Sequence, residues 1–169
     1  MKKILLSAIL LSSFMFAGNV HLFMCDSGHS DDGSAATFSL CMANDEPVSG
    51  FQFTFDGGDS GFALSSASGG LAAANGFSIS AGGNLVLGFS IMGAQIPVAT
   101  KEDQAVLVEL SGDYTTSGMT TIKPTVDLLN PTQTSFSDGN ALPMSVTQDQ
   151  SMWDAGTSSM LDADFPAQY

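Results

Sequence analysis

The 169-residue sequence contains no arginine, and its only basic side chains besides two histidines are four lysines. Against 17 acidic residues these leave a net charge of −13. Nucleic acids and anionic lipid surfaces are themselves negative, so a protein of this charge is repelled by them. We therefore expect no nucleic-acid partner.

The side chains on which most enzymes depend are also scarce. The two histidines, His21 and His29, lie near the N-terminus, and neither has the sequence context of a catalytic base. No pair of acidic residues lies in a recognisable glycosidase context. The sequence predicts a protein that is not an enzyme.

Charged residues make up only 12% of the chain, whereas it holds 18 glycines and many serines and threonines. This composition favours short strands and tight turns over a helical bundle. Hydrophobic residues account for 44% of the chain, which is enough for a packed core. The length allows one ordinary domain.

One long hydrophobic run is present, and it lies at the N-terminus. A basic Met1-Lys2-Lys3 segment precedes an apolar run from Ile4 to Phe16, and Ala17-Gly18 then supplies the small residues that a signal peptidase prefers. The run is shorter than the roughly 20 residues that cross a bilayer. We interpret residues 1–18 as a cleaved export signal; the alternatives are a buried helix or a membrane anchor.

Removal of this signal leaves Lys101 and Lys123 as the only lysines against the same 17 acidic residues. We expect a strongly anionic mature protein that is not inserted in the membrane and is secreted, held at the cell surface or kept in the periplasm. We predict one β-sandwich domain over residues 19–147 and an acidic tail rich in serine and methionine over residues 148–169.

The chain has two cysteines, Cys25 and Cys41, and exported chains form disulfides readily. They lie in two segments of alternating hydrophobicity, Val20 to Cys25 and Thr37 to Ala43. If the aliphatic side chains of both segments face the core, both cysteines lie on the outer faces of their strands. We predict a disulfide between them. The alternative, a reactive thiol or metal ligand, has no CxxC motif or nearby basic residue in its favour.

From residue 36 onward hydrophobic residues alternate with polar ones, as in Phe51, Phe53 and Phe55. Glycine-rich turn signals separate about nine or ten such segments, and this spacing is typical of an antiparallel sandwich. In the segment that starts at Leu85, alternate residues up to Ile91 share one face. The stretch from Gly69 to Ala74 is predicted to form a single helical turn.

The tail has no period of two, and it contains Trp153, the only tryptophan of the chain. Either it is flexible with Trp153 packed against the sandwich, or it is a short docking segment that another protein recognises.

Two groups of acidic residues offer oxygen ligands for a cation, and calcium is the only cofactor that the sequence suggests. Neither spacing matches a calcium loop, and a solvated loop between strands is the alternative. The residues are Asp26, Asp31 and Asp32 in one group and Asp56 and Asp59 in the other.

Several segments between residues 48 and 143 carry strand motifs of a known family. Val48 to Asp56 (VSGFQFTFD) is similar to the cohesin strand V-x-G-F-Q-F-x-L-x-[YF]-D, and Leu85 to Ser90 (LVLGFS) to the later L-x-[VL]-G-F-S. Ala105 to Leu110 has the place of their L-A-x-[IV]-x-F strand. Val126 to Asn130 and Phe136 to Pro143 resemble the closing segment L-x-N-x-x-F-S-D-x-x-G-N-x-[IL]-P.

This resemblance covers roughly residues 20 to 147 and implies a nine-stranded jelly-roll sandwich, similar to that of bacterial carbohydrate-binding modules. In cellulosomes, cohesins bind dockerins and catalyse nothing. A single exported domain without a scaffold of repeats need not bind a dockerin, so the resemblance also allows a component of a surface, matrix or other assembly.

The sequence therefore favours protein–protein interaction, with another exported protein or with copies of itself. The residues alternating with Leu85 and Leu87 are small or apolar, so Val86, Ser90 and Met92 are predicted to form an outward-facing interface. The alternative is a carbohydrate-binding module that stacks sugar rings on Tyr114 and Trp153.

Overall fold

The computed structural model describes residues 18–30, 34–56, 62–114 and 134–148, and the backbone of four two-residue strands. Of the predicted export signal, which spans residues 1–18, residues 1–17 lie outside the described part. The elements in chain order are β1 (Asn19–His29), β2 (Ala35–Asn44), β3 (Gly50–Asp56), β4 (Phe62–Ser68), α1 (Gly70–Ala74), β5 (Ser78–Gly82), β6 (Leu85–Phe89), a 3-10 turn (Lys101–Asp103), β7 (Val106–Tyr114), β8 (Thr121–Ile122), β9 (Thr125–Val126), β10 (Ser135–Ser137), β11 (Ser145–Gln148), β12 (Trp153–Asp154) and β13 (Ser159–Met160).

Ten of these strands form two five-stranded sheets that pack face to face. Sheet I has the order β11-β1-β2-β7-β4, and sheet II has the order β10-β3-β6-β5, with β9 also pairing with β3. The pairs within them are antiparallel except β1 with β11, which is parallel. The predicted all-β sandwich with about nine strands is confirmed, and its topology is that of a jelly roll. In the predicted tail, β12 pairs with β13 and with β8.

Phenylalanine rings fill the space between the sheets. The Phe51 ring lies 5.8 Å from that of Phe136 and 6.1 Å from that of Phe77, while Phe38 of sheet I meets Phe55 of sheet II at 5.4 Å. Each ring removes a large apolar area from water, so these residues contribute much of the hydrophobic stabilisation.

The alternation that the sequence predicts is seen in β3 and β7. In β3, Phe51, Phe53 and Phe55 are buried between the sheets. In β7, Val108 and Leu110 are buried in the core, whereas Glu109 between them is exposed and points away from it. The predicted helical turn is also confirmed, as α1. It packs so closely on β7 that a Cβ atom at Gly70 would collide with the backbone of Leu107.

The predicted orientation of β6 is wrong. Val86 is 0% exposed and faces the core opposite Phe53, while Leu85, Leu87 and Phe89 point outward. The physical reason is the size of the side chains on β3. The Phe51 ring occupies the space beside residue 88. Therefore only the orientation of β6 that places Gly88 inward fits the core.

The disulfide between Cys25 and Cys41 is present, as predicted, and their Cα atoms are 5.8 Å apart. It joins two irregular points in sheet I. The β1–β2 register shifts between Met24 and Asp26, at Cys25, and the β2–β7 register shifts between Leu40 and Cys41.

Cys41 is fully buried even though its strand face is the outer one. The segment from Ala99 to Ala105 runs beside this end of β2, since Asn44 donates a backbone hydrogen bond to Ala99. Lys101 lies 5.7 Å from the centroid of the Phe23 ring, and Met42 donates a backbone hydrogen bond to Ala105. The outer face of sheet I is thus covered where the disulfide lies.

Candidate docking face

The described side chains on the outer surface of sheet II carry no charge. We call this surface the docking face. Its described members point away from the core on four neighbouring strands; they are Ser135 and Ser137 of β10, Gly50, Gln52 and Thr54 of β3, Leu85, Leu87 and Phe89 of β6, and Ser78, Ser80 and Gly82 of β5.

An apolar stripe runs along the middle of the docking face. Leu85, Leu87 and Phe89 keep 37%, 36% and 41% of their surface exposed, and the stripe continues into Ile91 and Met92, at 80% and 91%. Leu87 lies between Gln52 of β3 and Ser80 of β5, so polar side chains border the stripe on both sides. A contiguous exposed apolar patch bordered by polar residues is typical of a protein interface.

The outer surface of sheet I has the opposite character. Ser39 donates a hydrogen bond to Glu109 at 2.7 Å, and Ser66 and Ser111 are hydrogen-bonded across β4 and β7 at 2.7 Å. The exposed Asp113 lies further along β7. The described acidic side chains thus lie on sheet I and on the connecting loops, and the docking face has none of them.

Of the three predicted interface residues, only Met92 lies at the surface beside this stripe. Val86 is buried, which excludes it from any interface, and this part of the prediction is wrong. Ser90 is half-buried, and its hydroxyl accepts a hydrogen bond from the backbone N–H of Ala94 at 3.1 Å, which closes the turn after β6. Leu85, Leu87 and Phe89 were not predicted as interface residues, because their large apolar side chains suggested the core.

The turn after β10 is held by Asp138, which lies in the segment resembling the cohesin closing motif. Its carboxylate accepts the backbone N–H groups of Leu142 at 2.8 Å and Asn140 at 2.9 Å. These hydrogen bonds hold the pKa of Asp138 below its ordinary value, and the bond from Leu142 has the largest effect. Ser49 donates its hydroxyl to the Asp138 carbonyl, so the turn is tied to the start of β3. This carboxylate is engaged in structure.

A second polar cluster lies at the end of β2. The buried Asn44 donates to the carbonyls of Glu46 and Pro97 at 2.8 and 3.2 Å, and its side-chain oxygen accepts the N–H of Ala99 at 3.1 Å. The next residue, Asp45, accepts hydrogen bonds from the backbone and side chain of Asn19, and these lower the pKa of Asp45. Both side chains anchor chain segments to one another.

Among the residues that the structure describes, no three histidine, cysteine or acidic side chains gather in a way that could hold a metal ion. Asp26 is exposed and accepts the N–H of Ser27 at 2.8 Å. Asp31, Asp32 and Asp59, and the side chain of Asp56, lie outside the described part. The calcium prediction therefore stays a prediction, and a melting midpoint that is unchanged by a chelator at millimolar calcium would exclude a structural site.

The side chains of Tyr114 and Trp153, predicted to stack on sugars, also lie outside the described part, although the backbone of Trp153 pairs with Ile122 and Met160. On the docking face, Phe89 is the one aromatic side chain among those described.

Within the described residues, no helix is long and apolar enough to span a bilayer.

Searches with the sequence find no matching protein-family model and no matching curated protein. The fold, in contrast, is similar to that of solved cohesin structures. The chain therefore has a cohesin-like fold, as its sequence segments suggest.

Three solved structures illustrate the likeness. The cohesin–dockerin complex structure from Clostridium thermocellum matches with a TM-score of 0.55 and 13% identity, over 83% of this chain and 94% of that one. A non-cellulosomal cohesin from the archaeon Archaeoglobus fulgidus gives 0.55 and 12%, over 80% and 90%. The seventh ScaB type I cohesin from Pseudobacteroides cellulosolvens gives 0.53 and 14%, over 78% and 88%.

Proposed function

We propose that this chain is an exported, non-catalytic binding module that docks another protein on the outer face of sheet II. The observation that carries the proposal is the apolar stripe of Leu85, Leu87 and Phe89 among described side chains that carry no charge, in a chain of net charge −13. Solved structures with this fold include complexes of a cohesin with a dockerin. A protein partner thus agrees both with the surface and with the fold.

The charge distribution indicates what kind of partner fits. An apolar patch attracts any apolar surface, whereas the negative charge of the chain as a whole favours a partner of opposite charge. A second copy of this chain is equally acidic, so like charges oppose association of two copies. We therefore infer a different protein, with an apolar centre to its binding surface and a net positive charge.

Replacement of the stripe by acidic residues tests this proposal. Leu87→Asp and Phe89→Asp place charge on exposed positions, so the fold should persist while docking is lost. Ser66→Asp is the matched control, because it adds the same charge to an exposed position on sheet I. Purified dockerin modules and the organism's own exported proteins serve as probes in pull-down and titration calorimetry.

The proposal requires that a partner bound by the native protein and by Ser66→Asp be lost from both stripe variants. Binding that survives both changes would overturn the docking face. Size-exclusion chromatography at several concentrations distinguishes a second copy of this chain from a different protein as the occupant of the docking face. Concentration-dependent dimers that Leu87→Asp abolishes would show that the occupant is a second copy.

Retention on insoluble polysaccharide, lost on replacement of Tyr114 or Trp153 by alanine, would instead support the carbohydrate-binding alternative. In that case the stripe variants should be retained like the native protein, because their changes lie on β6. The two outcomes identify two different surfaces.

A further inference from the structure

Strand β5 (Ser78–Gly82) forms one edge of sheet II, beside the docking face. Among the described strands it pairs with β6 alone, so its other side faces away from the sheet. Its sequence, SISAG, contains neither a charged residue nor a proline. Proteins usually protect such an edge with charge, proline, a bulge or a covering segment, because another strand can bind its backbone groups. The β5 edge has no protection from its own residues.

Other edges of the sandwich differ from that of β5. At the opposite edge of sheet II, β10 is covered by the chain that follows it, since Met144 donates its backbone N–H to the carbonyl of Phe136 at 2.9 Å. In sheet I, the β4–β7 register shifts between Leu64 and Ser66, which interrupts the edge strand β4. The remaining edge strand, β11, belongs to sheet I and not to the sheet that carries the docking face.

The hairpin that joins β5 to β6 determines which backbone groups point outward. Its turn has two residues, and Gly83 in the first place has a φ of 59°, as such turns require. The residues that flank a two-residue turn, here Gly82 and Leu85, exchange both backbone hydrogen bonds, and this pattern recurs at every second pair. The N–H and C=O groups of Ala81 and Ile79 therefore point out of the edge.

The side chains of Ile79 and Ala81 are incompletely covered. Both pack against the core, yet they are only half-buried. Val86, which lies opposite Ala81 on β6 and has a strand on each side, is 0% exposed. A further strand beside β5 would therefore bind the outward backbone groups and also cover these two apolar side chains.

We propose that the partner of the docking face adds an extended segment to sheet II, as a further strand beside β5. This inference rests on the proposed function, because the added strand continues the same surface. The inward side chains of the segment are apolar and cover Ile79 and Ala81. Its outward side chains include lysine or arginine, which the net charge of −13 favours. Backbone hydrogen bonds to Ile79 and Ala81 hold the segment in register.

Amide hydrogen exchange of the native protein tests whether the edge is open. The amides of Ile79 and Ala81 should exchange at least about tenfold faster than those of Ser80 and Gly82, which are bonded to β6. Equal protection of all four amides would show that the edge is already covered and would overturn the inference.

A synthetic peptide of eight residues, with valine and lysine in alternation, tests strand addition. It should bind the native protein and slow the exchange of the Ile79 and Ala81 amides. A peptide of the same composition, with four valines followed by four lysines, controls for charge. Equal binding of both peptides, or binding without slower exchange at these two amides, would overturn the inference.

Ala81→Pro tests the backbone groups directly. Proline removes the outward N–H of residue 81 and leaves the hydrogen bonds between β5 and β6 in place, so the fold should persist. The variant should bind the alternating peptide at least about tenfold more weakly, because one hydrogen bond is lost and the proline ring obstructs the added strand. Ala81→Ser keeps the N–H and is the matched control, which should bind like the native protein. Equal affinity of both variants would contradict strand addition.

The docking-face variants distinguish the failure of this inference from the failure of the proposed function. A protein partner that is lost from both Leu87→Asp and Ala81→Pro supports the inference. A partner that is lost from Leu87→Asp alone overturns strand addition and leaves the docking face intact, whereas a partner that is lost from neither overturns both. Concentration-dependent dimers that Ala81→Pro abolishes would show that a second copy occupies the edge, and would overturn the partner proposed here.

Discussion

The Phe51 ring of β3 lies over the backbone of Gly88 on the neighbouring strand β6, where a Cβ atom of residue 88 would be. This contact decides which face of β6 points inward. Because Gly88 and Val86 share a face, the contact also places Leu85, Leu87 and Phe89 outside. The core of the sandwich and its docking face thus have one origin.

A methyl group at residue 88 should disrupt this contact. Gly88→Ala is expected to lower the free energy of unfolding by about 2 kcal/mol, because the Phe51 ring must move in a packed core. Gly82→Ala on β5 is the matched control: nothing lies within 4 Å of its Cβ position, so its stability should change by less than about 0.5 kcal/mol. Urea denaturation measures both, and equal losses would contradict the role of Phe51.

Removal of the disulfide should destabilise the fold without changing it. Cys25 and Cys41 are separated by 16 residues, and a loop of this length is expected to contribute about 3 kcal/mol through the entropy of the unfolded chain. Denaturation with and without a reductant measures the difference. The Cys25→Ala/Cys41→Ala double variant should no longer respond to reductant, and a native protein that is equally insensitive would exclude this contribution.

Asn44 should be among the most important polar residues, because its side chain satisfies three backbone groups at a buried position. Asn44→Ala leaves these groups without their partner and is expected to lower the free energy of unfolding by about 3 kcal/mol. Asn140→Ala provides a comparison. Asn140 is exposed and its amide makes a long bond of 3.4 Å to Asp138, so thermal unfolding should show little loss.

Acid should weaken the turn after β10. The pKa of Asp138 is lower in the folded protein than in the unfolded chain, so its carboxylate stabilises the fold at pH values above the unfolded value of about 3.9. That contribution is lost as the pH falls through the lower, folded value. Asp138→Asn has no proton to gain there, so its melting temperature should fall less steeply between about pH 4 and pH 2. Parallel curves for the two proteins would show that Asp138 does not contribute.

Much of the fold could be predicted because its signals are local. The alternation of phenylalanines in β3, the inward set of β7, the glycines before α1 and the pairing of two cysteines all follow from residues close together in sequence. Hydrophobicity that alternates with a period of two residues predicts that a segment is a strand, and it indicates which residues share a face. It does not state which face is inside when both are apolar.

The interface prediction failed for that reason. Neither face of β6 carries polar side chains: Val86 and Gly88 lie on one face, and Leu85, Leu87 and Phe89 lie on the other. The larger side chains of the second face suggested that it points into the core. A signal was nevertheless present. The Gly88 position offers no side chain to solvent, and glycine inside a strand often marks a close approach of another group.

By itself, the amino-acid sequence determined that this chain forms a two-layered β structure with one disulfide, since those features depend on composition and short-range periodicity. Only the tertiary structure decided that the middle of sheet II is apolar on its outside, and that Asp45 accepts hydrogen bonds from Asn19. Both facts depend on residues far apart in the chain. Their distance is fixed by strand pairing and by the volume of the rings that fill the core.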